Sequence, residues 1–414
     1  MFAYLRQKIA VCRELGFTRL ALLPIATALV LLLLLLSRIM KVRVHQAQNG
    51  RIGHFTVPMA LRHLELSRDT RSLFTRGINL YAVRSVKSAN VFLEKMWKRT
   101  VPLISGNLGW LIVDLFARIP KNQVCIETTD GDRNGLLIHY PPCLTFKPNE
   151  IKLGINFLKS LGLEDGQKFV CLHVRDSSYL AESWNYFGYS PRHDWSHHNY
   201  RNSEISTYVA AAEALAKMGY TVFRMGAIVE KPLISKHPRV IDYATNGMRT
   251  EFLDIFLGAH CTFCVSTGSG WDSIPQIFDR PSLYVNFLPY VTMMCLVRDL
   301  TIYMKPIVDV ETKHPLNFNE IIYRGIQTTY SAHDYVPARA EFRDMSSDEL
   351  VAAVTEMAAR VDGTFIETLE QKQMQSKLKH ILSTHPKLQP TPNYYPIRAE
   401  FASCFLSNYP NFLD

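Results

Sequence analysis

The chain has 414 residues, of which 47% are hydrophobic and 20% are charged. This composition excludes a disordered chain, and the length exceeds one ordinary core, so we expect two domains with additional segments. The net charge of +9 is compatible with a membrane surface or an anionic small substrate, whereas the spread of basic residues along the chain argues against nucleic-acid binding.

Residues 20 to 37 read "LALLPIATALVLLLLLLS" and contain no charge, which is near the minimum length for a membrane-spanning helix. Because the segment ends in Ser-Arg-Ile-Met-Lys, we predict an anchor over residues 1 to 43 rather than a cleaved signal peptide. Orientation stays open, since basic residues flank the segment on both sides. Pro24 and the short length also leave a monotopic insertion open. The flanking basic residues are Arg6, Lys8, Arg13, Arg19, Arg38, Lys41 and Arg43.

Residues 44 to 150 are predicted to form an N-terminal Rossmann-like domain. The stretch "VRVHQAQNGRIGHFTVPMALRHLE" has the pattern of a strand, a glycine-bearing turn and a helix, and "INLYAV" and "VPLIS" are further strand candidates. The turn lacks G-x-G-x-x-G, so it carries no dinucleotide fingerprint. A loop-rich stretch, "HYPPCLTFKPNE", is typical of an interdomain connection.

Residues 151 to 335 alternate apolar strands with helices, which predicts a parallel sheet covered on both faces. Residues 336 to 414 are predicted as a helical C-terminal extension and tail, whose closing aromatic residues dock back on the body. The predicted fold class is therefore α/β, with two Rossmann-like domains and an N-terminal membrane-anchoring helix.

One strand candidate, "FVCLHVRDSSYL", is apolar until it ends in His173, Arg175 and Asp176. The carboxyl ends of parallel strands are where α/β proteins bind ligands, and Arg224 ends a neighbouring strand candidate. Guanidinium groups suit bidentate phosphate binding. The alternative is an ion pair that only fixes the sheet edge, between Arg175 and Asp176 or between Arg224 and Asp242.

The turn "STGSGWDS" follows a buried strand and opens a helix. Its glycines let the backbone approach a ligand, and N–H groups at a helix N-terminus favour phosphate. It is neither a nucleophile elbow nor a P-loop. The alternative is an ordinary tight turn with serine as a helix cap.

A long loop over residues 177 to 201 holds two tryptophans, four tyrosines and three histidines, which suits stacking on a sugar or base. A metal site from its histidines and Asp194 is disfavoured, because no predicted helix presents these ligands together. His198 is a candidate base or hydroxyl-orienting group. His54, on the turn of the first domain, is a second candidate base, and its alternative is a helix-start histidine with no chemical role. The histidines of the disfavoured site are His193, His197 and His198.

Together, "GRIGHF", "FVCLHVRDSSYL", "HNYRNSEISTY" and "STGSGWDSIPQIFDRPSLYVNF" resemble a family of bacterial glycosyltransferases of the two-Rossmann, GT-B type, over roughly residues 45 to 330. The "HVRD" element is also similar to the H-x-R element with which fucosyltransferases hold the donor phosphate. The resemblance implies that the C-terminal domain holds a nucleotide-sugar, with Arg175 and the turn at the diphosphate and Arg224 a less certain partner. It implies no catalytic base.

The predicted function is transfer of a sugar from a nucleotide-sugar to a glycan or lipid-linked acceptor in surface polysaccharide or glycoconjugate synthesis. We expect no cofactor and no metal, because arginines and N–H groups would stabilise the leaving group. The predicted location is the bacterial inner membrane, with the catalytic domain at the cytoplasmic face. The alternatives are an epimerase or hydrolase of the same fold and a non-catalytic, membrane-tethered binding protein. The predicted catalytic residues are His54, Asp176 and His198, and the predicted donor-binding residues are His173, Arg175, Arg224, Ser266, Thr267, Gly268, Ser269 and Gly270.

Overall fold

A computed structural model describes residues 16–68, 76–83, 87–119, 124–126, 132, 134–182, 194–290, 297–388 and 399–414. These residues form two compact units, each with its own parallel sheet. The first unit takes the described residues up to 126 together with 143–145, and the second takes the rest. The predicted mixed α/β class with parallel sheets is confirmed.

The described part of the first unit is built on a parallel sheet of four strands in the order β3-β2-β1-β4. The predicted strand, turn and helix after the apolar segment are confirmed. The strands are β1 (Val42–Ala47), β2 (Ile78–Val83), β3 (Leu103–Ile104) and β4 (Val124–Ile126), and the helices are α1 (Gly16–Leu36), α2 (Ile52–Ser67), α3 (Val91–Thr100) and α4 (Gly106–Ala117).

In the second unit, the described residues form a seven-stranded sheet in the order β13-β10-β9-β8-β5-β6-β7, with every pairing parallel. Its central strands β8 and β9 are fully buried, and β5 is buried up to His173, because helices cover both faces. A separate antiparallel pair joins β11 to β12. The strands are β5 (Phe169–His173), β6 (Thr221–Met225), β7 (Val240–Ile241), β8 (Phe263–Ser266), β9 (Ser282–Phe287), β10 (Leu300–Met304), β11 (Ile307–Asp309), β12 (Ala340–Phe342) and β13 (Glu400–Phe401).

The helices of the second unit follow the predicted alternation with strands. Several begin at side-chain caps, such as Thr250 before α9 and Ser346 before α12, whose oxygens accept an N–H of the first turn. The helices are α5 (Leu136–His139), α6 (Pro148–Ser160), α7 (Ser178–Glu182), α8 (Val209–Lys217), α9 (Glu251–His260), α10 (Ser273–Ile277), α11 (Phe318–Tyr323), α12 (Ser347–Val361), α13 (Leu369–Thr384) and α14 (Ser403–Asn408). Short 3-10 helices cover Ser196–Arg201, Ile205–Tyr208, Ala332–Tyr335, Pro386–Leu388 and Pro410–Leu413.

The described tail is part of the second unit's core. Strand β13 adds to the sheet edge beside β10, and Phe405 and Phe412 are buried in the same hydrophobic cluster as β5 and β9. The predicted docking of the closing aromatic residues is therefore confirmed.

The stretch "SEISTYVAAAEALAKMG", residues 203 to 219, predicts one continuous helix capped by Asn202 or Ser203, and the structure departs from this prediction. Residues Ile205–Tyr208 form a 3-10 turn, and the α-helix begins only at Val209, without a side-chain cap. The predicted cap is wrong because the backbone N–H of Ser203 donates to the carbonyl of Arg175 at 3.0 Å, which holds this residue against the strand end.

Candidate functional site

The polar ends of β5 and β8 lie side by side in the middle of the second sheet. Their parallel register places His173 opposite Ser266. The N–H of Thr267 donates to the His173 carbonyl at 3.3 Å, and the Thr267 hydroxyl accepts the N–H of Arg175 at 3.0 Å. The two sequence features predicted to bind the donor therefore meet at one strand-end position.

The turn after β8 is held by its own side chains. The hydroxyl of Ser266 accepts the N–H of Gly268 at 3.2 Å and donates to Asp272 at 2.9 Å. Asp272 also accepts the N–H of Ser269 at 2.7 Å, and the Ser269 hydroxyl accepts the N–H of Trp271 at 3.3 Å. These bonds use N–H groups that were predicted to bind phosphate. The side-chain bonds therefore make the turn a rigid support for the neighbouring residues.

Gly268 is required by the backbone conformation of this turn. Its φ of +78° lies in the left-handed region that favours glycine, and a Cβ there would lie 3.0 Å from the ring of Phe287. A side chain at this position would strain the turn and press on the strand beneath it. The glycine thus allows the turn to pass close to the sheet.

His173 is enclosed at the strand end. Its Nδ1 lies 3.1 Å from the Ser269 hydroxyl, and its ring stacks on Trp271 with the centroids 5.6 Å apart. Burial, together with the positive charges of Arg224 and Arg175, lowers the pKa of His173 to about 3. The imidazole is therefore neutral at physiological pH and is suited to hydrogen bonding rather than to charge.

Arg175 is fixed through its backbone. Its N–H donates to Thr267 and its carbonyl accepts the N–H of Ser203 at 3.0 Å, so both neighbouring segments hold it. The guanidinium charge contributes to the lowered pKa of His173 and acts on the phenol of Tyr200. The side chain is only partly buried, which leaves a positive charge beside a neutral imidazole.

Arg201, which the sequence analysis did not single out, belongs to the same region. It ends the 3-10 helix Ser196–Arg201, and its guanidinium lies 5.7 Å from the centroid of the Tyr200 ring. Its charge lowers the pKa of Asp272, against the larger effect of burial. The buried Nε of Arg201 has no hydrogen-bond partner within the described residues. The charge of Arg201, on the long loop, therefore acts on the turn through Asp272.

A buried lysine holds this end of the loop. Lys305 has no exposed surface, and its Nζ donates to the carbonyls of Tyr200 and Asn202 at 2.9 and 3.1 Å. It also pairs with Asp344 at 2.6 Å, although burial still lowers its pKa. These contacts clamp the backbone on both sides of Arg201.

Arg224 forms the ion pair that the sequence analysis left open as the alternative. Its side chain is 1% exposed, and Nη1 lies 3.2 Å from the Asp242 carboxylate. Its Nη2 donates to the carbonyl of Lys231 at 3.1 Å, and Asp242 accepts the N–H of Leu233 at 2.9 Å. These contacts give Arg224 a structural role at the sheet, and direct contact with a donor would require it to leave them.

The three predicted catalytic residues have different surroundings. Both oxygens of Asp176 accept backbone N–H groups, from Ser178 and Glu230, each at 2.9 Å. The ring of His198 stacks on Trp195 with the centroids 6.0 Å apart. His54 lies in the first turn of α2 in the other unit, where burial and the charge of Arg51 lower its pKa. Their catalytic roles stay predictions.

Within the described residues, no group of three histidine, cysteine or carboxylate side chains comes together as metal ligands would. His193 lies outside the described residues. The expectation of no metal also assumed that the chain lacks an Asp-x-Asp motif, and this is wrong, because residues 130 to 132 read Asp-Gly-Asp. The carboxylate of Asp132 accepts the N–H groups of Leu136 and Leu137, both at 2.8 Å, and so caps helix α5.

No protein-family model matches this chain, and no curated protein matches it. Two solved structures resemble it. ADP-heptose LPS heptosyltransferase II from E. coli matches with 13% identity and a TM-score of 0.35, covering 64% of this chain and 90% of that one. A glycosyl transferase of family 9 from Veillonella parvula matches with 10% identity and a TM-score of 0.42, covering 78% and 98%. Both TM-scores are below 0.5.

The arrangement can bind an anion without first moving the strands. Arg175 and a neutral imidazole are hydrogen-bonded to a rigid turn on which the charge of Arg201 also acts, and guanidinium groups pair with phosphate oxygens in a bidentate geometry. Asp272 supplies the only carboxylate that hydrogen-bonds the turn within the described residues, and Arg201 partly offsets its charge.

The stability of the turn should depend on pH through Asp272. Burial raises the pKa of this carboxyl from 3.8 to about 6, so the folded state binds more protons than the unfolded state between these values. The free energy of unfolding therefore falls as pH rises from about 4 to about 6. Relative to wild type, Asp272→Asn should gain up to about 3 kcal/mol in free energy of unfolding across this window.

Denaturant unfolding of both proteins at a series of pH values checks this prediction. Asp254 also has a pKa raised to about 6, so the difference between the two proteins is the informative quantity. A difference that stays constant with pH would contradict the raised pKa of Asp272.

Proposed function

We propose that this chain is a glycosyltransferase that moves a sugar from a nucleoside diphosphate donor to a glycan or lipid-linked acceptor. The observation that carries the proposal is the strand-end site itself. Arg175 and His173 are hydrogen-bonded to the turn after β8, at the carboxyl edge of a parallel sheet, and the charge of Arg201 acts on Asp272 of that turn. Such an edge is where α/β enzymes bind nucleotides, and two arginines fit a diphosphate.

In the proposed reaction, an acceptor hydroxyl attacks the anomeric carbon of the sugar. The bond from that carbon to the diphosphate oxygen breaks, and its electron pair stays on the leaving diphosphate. Arg175 and Arg201 stabilise the charge that develops there, because preorganised cations at a partly buried site need little rearrangement. His173 is neutral and serves as a hydrogen-bonding partner for the donor. The acceptor proton goes to a general base.

The base is proposed among the three predicted catalytic residues. His54 has a lowered pKa and is therefore in the neutral form that accepts a proton at physiological pH. Asp176 is occupied by two backbone N–H groups, and His198 is stacked in the loop that carries Arg201. These environments favour a histidine over Asp176 in this role.

We further propose that the enzyme acts on a membrane-borne acceptor at the cytoplasmic face, where nucleotide-sugars are made. Helix α1 includes a stretch, Thr18–Leu36, that is long and apolar enough to cross a membrane, a property that a signal sequence shares. A surface glycan built on a lipid carrier would then be within reach. Neither a cofactor nor a metal enters the proposed mechanism, because the guanidinium groups of Arg175 and Arg201 stabilise the leaving diphosphate.

The first test is donor binding by the full-length protein in mild detergent. Thermal unfolding should shift upward with one class among UDP-, GDP-, dTDP- and ADP-sugars and less with CMP-sugars, which carry one phosphate. The shift should persist in EDTA. A protein shown to be folded that responds to none of them would contradict the proposal.

Product analysis then separates transfer from its alternatives. With the donor identified, sugar should move to membrane lipid or glycan extracts, and donor consumption should be slow without acceptor. Rapid release of free sugar, or a changed sugar still attached to nucleotide, would instead indicate a hydrolase or an epimerase. Binding with no turnover under any acceptor would indicate a binding protein.

A further inference from the structure

Helix α1 is attached to the first unit at both of its ends. Near its start, Arg19 donates to the Asn107 side chain at 2.8 Å and its guanidinium lies 4.5 Å from the Trp110 ring centroid, both on α4. After its end, the chain enters strand β1 at Val42. A helix of 21 residues is about 31 Å long, and it lies along the unit rather than projecting from it.

The inner side of α1 packs into the core of the first unit. Ala26 and Val30 are buried in a cluster with Val44 of β1 and with Ile112 and Phe116 of α4. Further inner residues recur at intervals of three and four positions, which is the spacing of one helix face. These residues are Leu22, Leu29, Leu33 and Leu34.

The outer side of α1 is a continuous apolar surface. Its large side chains are roughly half exposed, including Leu31 at 56% and Leu35 at 59%. An exposed apolar surface of this extent on a folded unit marks an interaction site. We call it the α1 outer face; its members are Leu20, Leu23, Ile25, Leu31, Leu32 and Leu35.

We propose that the α1 outer face lies in the headgroup and acyl boundary of an anionic lipid bilayer, with the helix parallel to the membrane plane. Charge complementarity supports this occupant, because Arg38 and Lys41 are exposed where the helix ends. The attachment is monotopic, since both ends of the helix are held by one unit on one side of the bilayer.

This inference does not depend on glycosyl transfer. It deepens the membrane part of the proposed function and removes the difficulty that basic flanks on both sides raise for a spanning helix. Donor binding is proposed for residues of the second unit, so donor titration and membrane binding can fail separately.

Vesicle flotation of the full-length protein tests the inference. Wild type should float with vesicles of phosphatidylcholine and phosphatidylglycerol and less with phosphatidylcholine alone. The double variant Leu31→Glu/Leu35→Glu should lower the bound fraction by about tenfold or more, because two apolar side chains lose their burial in lipid.

A matched control carries the same two changes elsewhere. Ile366→Glu/Leu369→Glu replaces side chains that are 87% and 80% exposed in the second unit, and it should float like wild type. Equal flotation of the α1 variant and this control would overturn the inference. The inference would also be overturned if the wild-type protein did not bind vesicles but formed a dimer that the α1 variant did not form.

Sidedness tests the in-plane arrangement. Tags at the N-terminus and at the C-terminus, each probed by protease in sealed bacterial membrane vesicles, should both be accessible or both be protected. Tags on opposite sides would show a spanning helix, and loss of the N-terminal tag by processing would show a signal sequence. Either result would overturn the in-plane proposal.

Discussion

Replacing Arg175 with glutamine is expected to weaken donor binding by about 10- to 100-fold while leaving the fold intact. Charge-assisted hydrogen bonds to phosphate contribute roughly 1.5–3 kcal/mol, and this is the free energy that the substitution removes. The backbone contacts of Arg175 with Thr267 and Ser203 do not involve its side chain, so the strand end should keep its geometry. Calorimetric titration of the full-length protein with the donor measures the effect.

The matched control for this experiment is Arg339→Gln. Arg339 is a surface residue paired with Glu311, so the variant removes the same unit of charge from a chain of net charge +9. Its dissociation constant should equal that of wild type. If both variants weaken binding alike, the effect comes from overall charge, and the assignment of Arg175 to the donor is wrong.

Replacing Arg224 with methionine is expected to lower the free energy of unfolding by about 3–5 kcal/mol, because it leaves the carboxylate of Asp242 without its buried partner. The dissociation constant of the remaining folded protein should change by less than about threefold, which is under about 0.7 kcal/mol. Denaturant unfolding and donor titration of the same preparation separate the two effects.

If Arg224→Met does not fold, Asp242→Asn serves instead. This variant keeps one acceptor oxygen for the N–H of Leu233 and the hydroxyl of Thr245, and it removes the charge of the ion pair. A large loss of donor affinity with little loss of stability, in either variant, would assign Arg224 to the donor as the sequence analysis expected.

The strand-end position of the site could be predicted from sequence because its signal is local. Each of two patterns can be recognised within about a dozen residues. One is an apolar strand that ends in His173 and Arg175, and the other is a glycine turn that follows a second apolar strand. Parallel pairing then brings the two ends together, and the register of β5 with β8 does so.

The contribution of Arg201 could not be predicted, because its position depends on contacts that are distant in sequence. Lys305 donates to the loop backbone from more than one hundred residues away in the sequence, and no local sequence pattern predicts such a contact. Asp272 was visible within the turn, but its bonds to the N–H of Ser269 and the hydroxyl of Ser266 depend on the direction of its side chain. A carboxylate three residues after a hydroxyl turn is a signal that could have been used.

The N-terminal helix shows the same division between local and distant information. Its length and apolarity were evident in the sequence, and the monotopic alternative was left open there. The choice depends on Arg19 meeting Asn107 and Trp110, and on Ala26 and Val30 joining the core of the first unit. Helix α13 is a further example, since its polar sequence gave little sign of the helix whose Leu378 and Leu382 are buried.

The central claim is that a nucleoside diphosphate binds at the ends of β5 and β8 between Arg175 and Arg201. The most direct measurement is an experimental structure of the full-length protein with the nucleoside diphosphate of the donor found by titration. The account predicts diphosphate oxygens within hydrogen-bond distance of both guanidinium groups, with Arg224 still paired to Asp242. A diphosphate bound away from Arg175 and Arg201 would contradict it.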